Sequence, residues 1–307
     1  MAAHRRKGTH LIISAIEHPS TSLIARRLEL EGFTVSTLPV DQDGFVSAGT
    51  LEAALRPETV LVSVMLANGE IGTVEPVREL VAVAHERGVL FHTDAVAAAG
   101  HVSVDVKALG VDALSLAANQ FYGPQGAAAL FVREGIRILP VLEGGGQEHG
   151  GRSGTEAVPT IVGMGVAAEL AKQHLPQRME RLSRLRDRLR DGLAMRVVPI
   201  RLNGSWRARL PHNLHLCVDG LSSESLVLGL DHSGIAAGLG SACNSKAMRP
   251  SQVLKAIGLT EEQARGAVVL SVGVPTTDEE IDRALEVIPA VAQRLRNVTA
   301  LTSRADH

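Results

Sequence analysis

The sequence predicts an α/β protein with a mostly parallel sheet, joined to a smaller C-terminal α+β domain. Three observations predict it. Short continuous apolar runs alternate with amphipathic segments through the first half, the pattern of parallel strands covered on both faces by crossover helices. The chain is 45% apolar over 307 residues but only 2% aromatic, so a sizeable core must be built from Ala, Val, Leu and Ile. A polar, glycine-dense stretch, EGGGQEHGGRSGT at 143–155, then divides this layer from the C-terminal half of the chain.

In order, HLIISAI (10–16) predicts a strand, STSLIARRLELEG (20–32) a helix stopped by Gly32, and FTVSTLP (33–39) a strand. AGTLEAALR (48–56) predicts a short helix and TVLVSVML (59–66) a strand. PVRELVAVAHERG (76–88) is a helix with Pro76 at its start and Gly88 as its stop. The strands VLFHTD (89–94) and ALSLA (113–117) come next, then AAALFV (127–132). AAALFV is joined to its predecessor by a tight turn with no helix, which predicts an antiparallel strand. The expected division is 1–155 as the large α/β domain, 156–195 as a helical connector and 196–307 as the small domain.

Charge and composition exclude several classes. Thirty-one Lys and Arg against 33 Asp and Glu leave no basic footprint for nucleic acid or a membrane surface. Two cysteines without a CxxC spacing predict a reducing, cytoplasmic setting and no metal site. LIISAI near the start is too short for a signal or a membrane span.

Ligands of open α/β sheets sit at the carboxyl ends of the parallel strands. Those ends carry Glu17–His18, Ala67–Asn68–Gly69, Asp94 and Ala117–Gln120, which bring an imidazole, an amide and a carboxylate toward one edge. Each alone reads more readily as a cap or loop hydrogen-bonder than as a catalyst. Cys243 lies on a Gly/Ser-rich loop, AGLGSACNSK. A thiol there can swing and be approached, and Lys246 would lower its pKa from ~8.5. Cys217, inside the apolar LHLCVDG, is expected to be structural.

The segments SAIEHPS, LVSVMLANGEIGTVEPV, FHTDAVAAAGHVSVDV, FYGPQG, GGGQEHGGRSGTEAVPTIVGMG and GSACNSKAMRPSQVLKAIGL strongly resemble the NifS/IscS-type cysteine desulfurases. These are pyridoxal-phosphate (PLP) enzymes of the class-V aminotransferase family, with the fold type I architecture of PLP-dependent transferases. The resemblance implies that His18 stacks on the pyridine ring, Asn68 lies by the 3-hydroxyl and Asp94 pairs with the ring nitrogen, keeping the ring an electron sink. It also implies that Thr155 reaches the phosphate of a neighbouring subunit's cofactor and that Cys243 accepts sulfur as a persulfide. The implied reaction converts L-cysteine to L-alanine, feeding iron–sulfur cluster or thio-cofactor synthesis through a sulfur-acceptor protein. The implied assembly is a homodimer, or a heterodimer with an active desulfurase.

The sequence departs from the family where the chemistry is densest. Gln120 stands at the position of the Schiff-base lysine, Asn119 at a histidine, Ala117 at a phosphate-contacting serine and Ala97 at a glutamine. Val269, in VLSVG, takes the place of the arginine that grips the substrate carboxylate; a valine supplies no bidentate ion pair. The family's leading segment, with its Ala-Thr-Glu phosphate loop, has no counterpart in these residues, which would leave AAALFV as a sheet edge. The departures predict a desulfurase-like protein impaired or inactive alone. The alternatives are a non-catalytic partner or sulfur relay of an active desulfurase, and a non-functional remnant.

Overall fold

A computed structural model describes residues 1–239 and 251–305. The chain divides into two compact units. The first comprises 1–40, 45–68 and 74–175; the second comprises 41–44, 69–73 and the chain from Pro176 onward.

The first unit alternates as the apolar runs require. It contains β1 (His10–Ser14), α1 (Pro19–Leu30), β2 (Thr34–Leu38), α2 (Ala48–Ala54), β3 (Thr59–Ser63), α3 (Val77–Glu86), β4 (Leu90–Asp94), α4 (Val106–Leu109), β5 (Ala113–Ala117) and β6 (Ala128–Val132). Among the described residues the strands form one sheet in the order β2-β1-β3-β4-β5-β6. Pairings from β2 to β5 are parallel, and β5–β6 is antiparallel. β1 is buried at all five positions, and Ile12, Val62 and Phe91, in register across β1, β3 and β4, are fully enclosed. Both faces of the sheet are therefore covered at its centre, which is why β1 and β3 read as unbroken apolar runs.

β6 is the edge strand, as the sequence predicts, and Ala128, Ala129 and Leu130 on it are exposed. The predicted glycine stops hold as well. Gly88 takes φ +66° after α3, and Val89 N–H donates to Ala84 O across it, the left-handed cap that only glycine adopts cheaply. Asp112 ties three elements together from a buried position. It accepts from Phe91 N (2.7 Å), meets His85 Nε2 on α3 (3.0 Å) and pairs with Arg133 just past β6.

α5 (Val158–Arg196) begins in the first unit and continues into the second. Its Leu182, Leu185, Leu189 and Leu193 recur at helical spacing on one face. They pack with strands β7 (Ile200–Leu202), β8 (Asn213–Val218) and β9 (Ala267–Ser271), helix α6 (Ser223–His232) and the long α9 (Asp278–Ala305). α7 (Gln252–Ala256) and α8 (Glu261–Ala264) lie between. β7-β8-β9 is an antiparallel sheet, so the small α+β layer expected from the sequence is present. No helix among the described residues is long and apolar enough to cross a membrane.

Candidate functional site

β1 is flanked by β2 on one side and β3 on the other, so the strand order reverses there. In an open α/β sheet that reversal marks the ligand end. The residues leaving β1, β3, β4 and β5 at their carboxyl ends are those singled out from the sequence.

His18 is the N-cap of α1, extended at φ −60° and ψ 149°. Its Nδ1 accepts from Ser20 N (3.2 Å) and lies 2.8 Å from Ser20 Oγ, leaving the ring on the exposed side. Asn68, beyond β3, is buried, and its Nδ2 donates to Ile16 O (3.0 Å). Asp94 closes β4, is 9% exposed and accepts from Val96 N at 2.9 Å. The segment after β3 is held from both sides. Leu66 N–H donates to Asp94 O (2.8 Å), while Met65 N–H donates to Glu17 Oε1 (2.8 Å).

A polar row lies beneath this edge. His92, two residues before Asp94, places Nδ1 2.8 Å from Ser63 Oγ and Nε2 2.9 Å from Ser115 Oγ, linking β3, β4 and β5. Burial pushes its pKa down, with the Asp94 charge opposing. Glu17 is more strongly perturbed. Burial pushes its carboxyl up to about 8; hydrogen bonds from Ser14 Oγ (2.6 Å) and Met65 N oppose the shift, and Asp94 adds to it.

At the end of β5 the backbone is fixed whatever residue 120 is. Ala118–Phe121 forms a single 3₁₀ turn closed by Tyr122 at φ +69°, with Gly123 N–H donating to Ala118 O at 2.8 Å. His101 Nε2 donates to the Gln120 carbonyl at 3.0 Å. A Cβ on Gly100 would stand 2.5 Å from Phe121 Cβ. Asn119 and Gln120 themselves are exposed.

The structure thus brings His18, Asn68, Asp94 and Gln120 to one edge of the first unit. Thr155 lies elsewhere in the chain, exposed on the 143–157 loop. Arg152 Nη1 in the same loop donates to Ser153 O (2.6 Å) and Gly154 N–H to Gln147 Oε1 (3.2 Å). Cys243 and Lys246 lie outside the described residues. Cys217 is buried on β8, where Asn203 Nδ2 stands 3.0 Å from its sulfur and burial pushes the thiol up, an inert setting. Val269 lies within β9 and pairs with His215. Sequence reasoning placed Glu17 at a strand end but assigned it nothing; its Glu-His pairing directly behind an apolar strand was the available signal.

Comparison with known proteins accords with this layout. Residues 1–284 match the family model Aminotransferase class-V. The chain is 46% identical over 301 residues to a protein named cysteine desulfurase IscS from Clostridium botulinum, covering 97% of this chain and 76% of that one. It is 46% identical over 302 residues to another of that name from Methanosarcina thermophila, covering 98% and 74%. A solved NifS-like protein superposes with a TM-score of 0.89 at 31% identity, over 96% of this chain and 78% of the other. With this strand order and these strand-end residues, the chain belongs to the class-V aminotransferase family, within its NifS/IscS-like cysteine desulfurases.

Proposed function

We propose that this chain is a cysteine desulfurase-like protein that does not complete the family reaction by itself. The observation that carries the reading is Gln120, which occupies the end of β5 on a firmly built 3₁₀ turn. In this family PLP, when bound, supplies the electron sink that labilises bonds at the substrate's α-carbon. The residues present fit its ring. Asp94 offers a carboxylate for the ring nitrogen, Asn68 an amide for the 3-hydroxyl and His18 an imidazole for the ring face. They do not fit its aldehyde, because the amide nitrogen of Gln120 is neither a nucleophile nor a base. Val269 stands in sequence where the family resemblance implies an arginine, and a valine side chain offers a carboxylate no ion pair. Cys243 remains as the sulfur-accepting group.

A second reading, that the chain serves as partner or sulfur relay of an active desulfurase, is favoured by one observation. Val158, Ile161, Val162, Val166 and Leu170 recur at helical spacing on α5 and are all exposed, shortly after the exposed Arg152, Gly154 and Thr155 in the chain. An apolar stripe of that length is a surface for another chain. The two readings share a test: ³⁵S-cysteine and PLP are given to the chain alone and to the chain mixed with an active desulfurase. The expected result is no label on Cys243 alone and label on Cys243 in the mixture. Label acquired alone contradicts the first reading, and no label in either contradicts the relay.

A further inference from the structure

Glu17 sits directly before His18, and the proposed cofactor-site reading gives it no role. Its carboxyl is enclosed, with the residue 7% exposed. One oxygen, Oε1, accepts two hydrogen bonds, from Ser14 Oγ at 2.6 Å and Met65 N at 2.8 Å. The other, Oε2, is sealed from solvent and has no hydrogen-bond partner among the described residues. No cation among the described residues compensates it. The charged group acting on it is Asp94, of the same sign, at the end of β4. His92, also on β4, has both ring nitrogens engaged by Ser63 and Ser115, and burial favours its neutral form. An enclosed, uncompensated carboxylate beside a second carboxylate is among the costliest arrangements in a protein interior.

We propose that Glu17 is held as a neutral carboxylic acid, a positioning residue that leaves Asp94 the single negative charge at these strand ends. Its second effect is mechanical. By accepting from Met65 N it fixes one side of the segment after β3, whose other side is fixed by Leu66 N–H on Asp94 O. That segment carries Asn68. The neutral acid therefore sets the spacing of Asn68 and Asp94 without adding charge to either. This rests on the ring-binding reading only for its purpose; the protonation itself does not depend on any cofactor.

The direction of the shift fixes the sign of the pH dependence. Glu17 is raised from 4.5 to about 8, so the folded state holds a proton that the unfolded state releases, and stability falls as pH rises toward and through 8. For this group alone the folding equilibrium constant drops ~100-fold between pH 6 and pH 9. The experiment is urea unfolding of the cofactor-free protein at both pH values for wild type, Glu17→Gln and Glu17→Ala, with infrared spectra at pH 7. Glu17→Gln is expected to remove that ~100-fold decline. It should be more stable than wild type at pH 9 and lack one protonated-carboxyl C=O band. Glu17→Ala should be less stable at pH 6. A Glu17→Gln variant with an undiminished decline, or with the carboxyl band unchanged, overturns the proposal. Because no cofactor is present, neither result depends on whether PLP binds.

Discussion

Gln120→Lys is expected to make the protein hold PLP covalently, so that borohydride reduction fixes the cofactor to residue 120. In wild type, residue 120 has nothing to reduce. The expectation rests on the backbone, not the side chain. The 3₁₀ turn at 118–121 is closed by Tyr122 and Gly123, held at its carbonyl by His101 and packed through Phe121 against Gly100. Residue 120 itself is exposed, so a longer side chain meets no packed wall. A positioned amine also restores proton transfer, typically worth ~10²–10⁴ in rate, but Val269 and Ala117 would still limit turnover. Digestion and mass analysis after reduction read the outcome. A Gln120→Lys protein that carries no fixed cofactor would mean that the strand-end residues no longer form a ring site.

The largest expected loss of stability comes from Arg209→Leu. Arg209 is 8% exposed and spends its guanidinium on main-chain carbonyls. Nε donates to Asn213 O (3.0 Å), and Nη1 and Nη2 donate to Asn203 O (3.0 and 2.8 Å), with Nη1 also reaching Ser205 O (2.9 Å). Burial pushes its pKa down to about 10, with Arg186 and Arg190 adding and Asp43 opposing. The accepting residues are themselves almost completely enclosed. Removing the guanidinium leaves buried carbonyls unpaired at about 1–3 kcal/mol each, so a total of roughly 3–5 kcal/mol is expected. Asn213 is part of the same unit and holds the 69–70 segment through Nδ2 (3.1 Å to Gly69 O, 3.0 Å to Glu70 O), which spreads the damage. Arg209→Lys should recover only a fraction, since an ammonium cannot match the planar fork. A shift below about 1 kcal/mol in urea unfolding would show that the carbonyls find other donors.

The first unit is legible in the sequence because burial there is periodic. ALSLA predicts β5 to the residue, and the missing helix before AAALFV gives away an antiparallel strand. Strand ends are less legible. HLIISAI reads as a strand to Ile16, but β1 stops at Ser14, because the chain turns there to bring Glu17 onto Met65 N. TVLVSVML likewise reads to Leu66, whereas β3 stops at Ser63 and the next residues divide their hydrogen bonds between Glu17 and β4.

The site is legible in its residue types, since His18, Asn68, Asp94 and Gln120 all fall at strand ends. What cannot be read is ionisation. Whether Glu17 is charged depends on which atoms enclose it, and those come from β1, the exit of β3 and β4, distant in sequence. The buried polar group around Arg209, Asn203 and His215 is invisible for the same reason. Its members look like ordinary loop and strand residues until β7 and β8 pair and place Asn203 Nδ2 2.8 Å from His215 Nδ1. Burial then pushes His215 down to about 3, a neutral imidazole that no local pattern announces.

The most direct measurement is alanine release from L-cysteine by the purified chain with added PLP, beside a Cys243→Ala control. With Gln120 at the end of β5, no cysteine-dependent alanine above the control is expected from folded protein. Alanine that forms with wild type and disappears in Cys243→Ala would contradict this reading of the site, because turnover would then proceed with Gln120 in place.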